Sequence, residues 1–169
     1  LQLVNVTNNE LSAIDVKNLT DLVSFEVAGN KLTTLDVSKN AKLQVLDVGN
    51  NKLTDLNLDN NTALRLLSFN DNSIQILDLS KLTKLCKINC GGNNMTACDL
   101  NQFYKDLPQY PELTKDEQEA LKGASLTILT GKEETPNDAA GSDTSIAMEK
   151  GWTTSMVGNG SGCDLTWIY

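Results

Sequence analysis

Asparagine recurs at Asn9, Asn30, Asn51, Asn72 and Asn93, and leucine at Leu1, Leu22, Leu43, Leu64 and Leu85, so the chain repeats itself every 21 residues. A fixed period of this size means stacked, nearly identical units, and it constrains the fold more than any local propensity does. Five units fit without a gap: 1–21, 22–42, 43–63, 64–84 and 85–105. Numbered from its first leucine, each unit is apolar at positions 1, 4, 6, 11, 14 and 16 without exception. Position 4, for example, reads Val4, Phe25, Leu46, Leu67 and Ile88.

The spacing of positions 4 and 6 is that of a short strand with alternate side chains turned inward. Positions 14 and 16 repeat the alternation, so each unit reads as a coil with two extended sides facing a shared interior. One coil cannot bury that interior alone, whereas stacking places leucine on leucine in continuous ladders. At roughly 1.5–3 kcal/mol per buried aliphatic side chain, these ladders outweigh any single polar contribution. The position-9 asparagines follow the strand where the chain turns back, and their amides suit leftover backbone groups, which predicts a structural amide ladder. Position 15 carries Asp15, Asp36, Asn57, Asp78 and Asp99. Turn capping is the expected role there, because calcium loops crowd several oxygens into one short Gly-containing segment and these units do not.

The sequence 22–40, Leu-x-x-Phe-x-Val-x-x-Asn-x-Leu-Thr-x-Leu-Asp-Val-Ser-x-Asn, resembles a leucine-rich repeat. The unit length and the Leu-Asp-Val-Ser half are similar to repeats of exported bacterial surface proteins of the internalin-like group. The resemblance covers 1–105 and implies an α/β fold: a right-handed, curved leucine-rich-repeat solenoid with a parallel concave sheet and a small α/β C-terminal cap. It also implies a secreted or cell-surface bacterial protein.

Charge divides the chain at the same boundary. Residues 1–105 hold 10 Lys+Arg against 11 Asp+Glu, and 106–169 hold 4 against 11. The second part, 106–169, reads as a capping segment. A helix over 100–107 is expected, capped by Asp99 and ended by Pro108. A capping box at Thr114 and Glu117 opens a helix over 114–122. A strand over 126–130, a loop over 132–142 and a helix from Asp143 to Lys150 follow. The order is similar to the closing segment of the same bacterial proteins, with an acidic helix inserted. Trp152 is expected to pack on the last coil. The tail ends in Trp167, Ile168 and Tyr169, which either fold back as a strand or mark a contact surface.

The net charge of -8 excludes a nucleic-acid footprint. The absence of histidine removes Ser-His-Asp and Cys-His catalysis and every histidine-containing zinc site. No apolar run approaches the ~20 residues of a membrane span. Cys90 and Cys98 sit at inward positions 6 and 14, where cysteine behaves as a small hydrophobe. Cys86 and Cys163 pair or stay apart, with nothing to decide. No catalytic residue, metal site or cofactor is expected, and the chain reads as a non-enzymatic monomer.

What remains is surface. Positions 3 and 5 point outward from the concave sheet, giving Leu3, Ser24, Val45, Leu66 and Lys87, and Asn5, Glu26, Asp47, Ser68 and Asn89. The candidate binding residues are Leu3, Val45, Leu66 and Lys87, flanked by Glu26, Asp47 and Ser68, for an extracellular protein or glycan. The alternative is a spacer or stalk without a ligand of its own, which expects further repeats upstream of Leu1.

Overall fold

A computed structural model describes residues 1–109, 114–115 and 145–152. Its order is β1 (Leu3–Asn5), β2 (Ser24–Glu26), β3 (Val45–Asp47), β4 (Leu66–Ser68), β5 (Lys87–Asn89), α1 (Ala97–Asp106) and α2 (Ser145–Met148). The five strands form one parallel sheet in sequence order. Each strand pairs with the next in strict 21-residue register, Val4 opposite Phe25, Phe25 opposite Leu46, Leu46 opposite Leu67 and Leu67 opposite Ile88.

That register follows from burial. Each strand turns its middle residue inward, and Phe25, Leu46, Leu67 and Ile88 are sealed. A slip by one residue would turn every side chain to the opposite face. Positions 11 and 16 close the other wall, with Leu32, Leu53, Ile74 and Met95 opposite Val37, Leu58, Leu79 and Leu100, all in one continuous core. The second apolar-alternating side makes no strand in any coil, contrary to the simplest reading of its alternation. The chain returns through tight turns instead, such as Leu19 N to Val16 O and Leu22 N to Leu19 O, repeated in the coils that follow.

The position-9 asparagines bind backbone, not one another. Asn51 Nδ2 donates to Val27 O, Val48 O and Gly49 O, and its Oδ1 accepts from Leu32 N at 3.0 Å. Asn30, Asn72 and Asn93 do the same in their coils. Each amide ties its own bend to the previous coil. Just before it, position 8 takes a left-handed backbone in all five units, at Asn8, Gly29, Asn50, Asp71 and Gly92. Glycine reaches that region without strain, and Asn and Asp tolerate it best among the rest.

Coil five breaks the pattern, and two expectations need correction. The helix starts earlier than expected, at Ala97, and its cap is Thr96, not Asp99. Asp99 is the third helical residue and closes a capping box, receiving Thr96 N at 2.8 Å while Thr96 Oγ1 receives Asp99 N. Because the helix replaces the extended side of this coil, Cys98 is exposed and not an inward rung. Leu100, Phe103, Tyr104 and Leu107 cover the end of the core, with Phe103 packed 6.3 Å from Phe69 between ring centres. Trp152 is sealed in the same cluster, and its Nε1 donates to Pro108 O at 2.7 Å. Lys150 Nζ reaches Leu107 O at 2.6 Å and also the carbonyl of Lys105, a cation set against a helix C-terminus. The expected helix 114–122, strand 126–130, loop 132–142, Cys163 and the Trp167-Ile168-Tyr169 tail lie outside the described residues.

Candidate functional site on the strand face

The sheet turns one residue per strand inward and two outward, so its free face carries two columns. In the first, Leu3 is exposed, Ser24, Val45 and Leu66 are half-buried, and Val45 lies in register with both Ser24 and Leu66. In the second, Asn5 is exposed and Glu26, Asp47, Ser68 and Asn89 are half-buried, with Glu26 opposite Asp47 and Asp47 opposite Ser68. The structure therefore brings Leu3, Val45, Leu66, Glu26, Asp47 and Ser68 onto one surface.

Lys87 is the exception among the expected residues. It is only 4% exposed on the last strand, so it offers a partner no free ammonium group. Burial disfavours its charged form and holds its pKa below the ordinary lysine range. Period-two alternation places a side chain on a face but does not register what later covers that face.

Side-chain hydrogen bonds organise the second column. Glu26 accepts from Asn5 Nδ2 at 2.8 Å and from Ser24 Oγ at 3.4 Å. Asp47 accepts from Gly49 N at 3.0 Å. Asn70, which the column argument does not single out, joins the next two strands: its Oδ1 accepts from Ser68 Oγ and from Asn89 Nδ2, and its Nδ2 donates to Asp71. The signal for it was its place two residues beyond the strand, where Asn5 and Asp47 each bond the position-7 amide of their own coil.

The position-15 acids behave as turn caps. Asp15, Asp36, Asn57 and Asp78 each accept from the backbone amide two residues on, at 2.8–3.0 Å. The side chains of Ser38 and Ser80, then those backbone bonds, and then nearby lysines hold Asp36 and Asp78 below the usual carboxylate range. A groove of about 400 Å³ crosses coils two and three on this side, lined in part by Thr33, Asp36, Thr54, Asp55 and Asp59. Its carboxylates are engaged: Asp36 with Ser38 N and Lys17, Asp55 with Leu56 N, and Asp59 with Lys81. No group of three or more potential metal ligands occurs among the described residues.

Solved structures share this coil. The functional domain of InlJ from Listeria monocytogenes matches with TM-score 0.53 and 30% identity over 53% of this chain and 20% of that one. An internalin, InlF, from the same organism matches with TM-score 0.56 and 28% identity over 67% of this chain and 37% of that one. The repeat array is internalin-like. The internalin-like array spans well under half the length of either structure. The InlJ domain is described as including a cysteine ladder. Here cysteine fills inward position 6 in one coil, at Cys90, where valine or phenylalanine stands in the others. No protein-family model matches the chain, and no curated protein does. Among the described residues, no helix is long and apolar enough to cross a membrane.

Proposed function

We propose that the chain is an exported binding module that takes a protein partner on the free face of its parallel sheet, without catalysing a reaction on it. The observation that carries this reading is the pairing of an apolar column, Val45 beside Leu66, with a polar one, Glu26 beside Asp47, on adjacent strands in register. An apolar centre flanked by polar and charged side chains is the composition of a recognition surface. The outward residues include no aromatic side chain, so the face lacks a flat platform for a sugar ring, which favours protein over glycan. The likeness to internalins supports a surface location.

The test is capture of purified extracellular-matrix and cell-surface proteins by the immobilised chain, with the Val45→Thr/Leu66→Thr variant alongside. Both substitutions keep strand-compatible side chains and remove apolar contact area. A partner held by the wild type and weakened at least tenfold in the variant, with an unchanged circular dichroism spectrum, supports the strand face. Equal capture by both proteins contradicts it, and no capture by either would favour the spacer reading.

A further inference from the structure

Four lysines of the array pair with carboxylates away from the strand face. Lys17 pairs with Asp36 at 3.5 Å, Lys31 with Glu10 at 3.3 Å, Lys42 with Asp21 at 2.5 Å and Lys81 with Asp59 at 2.7 Å. All eight side chains lie outside the strands, and each pair joins one coil to the next. Glu26 and Asp47 differ. They stand directly opposite each other on β2 and β3, and none of these ion pairs reaches either of them. Adjacent strands run about 4.8 Å apart, and like charges directly opposite each other destabilise a sheet. The fold therefore carries two carboxylates in register on a half-exposed face, beside an apolar column, and the hydrogen bonds their side chains accept among the described residues come from the neutral groups of Asn5, Ser24 and Gly49.

A metal ion does not suit this pair. Both Glu26 oxygens already accept hydrogen bonds from side chains, and one Asp47 oxygen accepts from Gly49 N. A hard cation would need several further oxygens converging on one point. A long cationic side chain needs only to lie over the pair.

We propose that the partner on this face is a cationic protein segment that sets an apolar side chain against Val45 and Leu66 and a Lys or Arg over Glu26 and Asp47. Val45 and Asp47 are two residues apart on one strand, roughly 6.6 Å at strand rise, which matches same-side residues of an extended partner chain. The inference rests on the strand-face reading above and names the chemistry of its partner.

The probe is a fluorescent peptide of repeated Ser-Leu-Ser-Lys units, whose leucines and lysines share one side when extended. The comparison peptide carries Glu for Lys. The lysine peptide is expected to bind the wild-type chain more tightly than the glutamate peptide and to weaken as salt rises. Glu26→Gln/Asp47→Asn should lower its affinity by about three- to tenfold, the range for two exposed ion pairs. Glu10→Gln/Asp21→Asn, which neutralises two acids elsewhere, should leave it unchanged and so exclude general attraction to an acidic chain. Equal binding of the two peptides, no binding of either, or no effect of Glu26→Gln/Asp47→Asn would overturn the cationic partner. If binding persists in that variant but is lost in Val45→Thr/Leu66→Thr, the strand face stands and only its charge preference fails. If neither pair of substitutions changes binding, both readings fail.

Discussion

Replacing Asn51 by alanine should destabilise the chain far more than replacing Asn61 by leucine, although both asparagines are buried and both donate to the backbone of the preceding coil. Asn51 Nδ2 serves Val27 O, Val48 O and Gly49 O, and each of these keeps another donor: Asn30 Nδ2, Asn72 Nδ2 and Gly29 N. Leu32 N has no such reserve. Its acceptor is Asn51 Oδ1 at 3.0 Å, and Leu32 is fully buried. An orphaned buried donor costs about 1–3 kcal/mol and a lost net hydrogen bond about 1 more, so Asn51→Ala should cost about 3 kcal/mol. Asn61 is the opposite case. Its Nδ2 donates to Val37 O and Asn40 O, which retain the backbone donors Asn40 N and Leu43 N. Its buried Oδ1 has no hydrogen-bond partner among the described residues, and leucine fills the same position in coils one and four, at Leu19 and Leu82. Asn61→Leu orphans nothing and should lie within about 1 kcal/mol of wild type, or above it. Urea unfolding followed by circular dichroism reads both. At a slope of about 2 kcal/mol per molar for a chain of this class, Asn51→Ala should lower the midpoint by roughly 1.5 M. Equal losses in the two variants would refute the reasoning, because the argument turns on which backbone group is left alone.

Gly29 has φ +70°, and an added Cβ would run into Asn8 Oδ1, so Gly29→Ala should cost at least the ~1–2 kcal/mol of a left-handed alanine, read from the same urea midpoint. Trp152→Phe removes the indole donor from Pro108 O and should speed amide exchange in α2 and the last turn of α1 while the strands keep their protection; unchanged exchange there would show that the bond does not hold the two helices together. Asp36 and Asp78 have folded pKa values below the ordinary 3.8, so the stability they contribute is present above 3.8 and is lost as pH falls through their folded values. Asp36→Asn/Asp78→Asn keeps the cap, as Asn57 does in coil three, and should flatten the acid limb of stability against pH; an unchanged acid limb would place its origin elsewhere.

Much of this fold is readable from residue spacing because a solenoid repeats one local solution. Six apolar positions per unit and a period of two are enough to place Val45, Leu66, Glu26 and Asp47 on the free face, and Asn9, Asn30, Asn51, Asn72 and Asn93 in the bend. What stayed hidden has specific causes. The second amide series, Asn40 and Asn61, is flanked by Leu19 and Leu82, so it does not run through every unit and carries no period of its own. The left-handed position 8 alternates among Asn, Gly and Asp, three residues united by backbone tolerance and not by polarity. Inward spacing misplaces Cys98 because α1 takes over that side of coil five, and the Thr96 cap that signals the change uses Asp at its third position where Glu or Gln is usual. Burial of Lys87 depends on tertiary cover, which strand alternation does not encode.

The binding face is tested most directly by hydroxyl-radical footprinting of the chain with and without a protein it captures. Val45 and Leu66 report on the strand face, and Ile76, which is 76% exposed and outside the strands, reports on the remaining surface. Binding should suppress oxidation at Val45 and Leu66 and leave Ile76 unchanged. Protection of Ile76 with no change at Val45 and Leu66 would put the partner elsewhere and contradict the assignment of the sheet as the recognition surface.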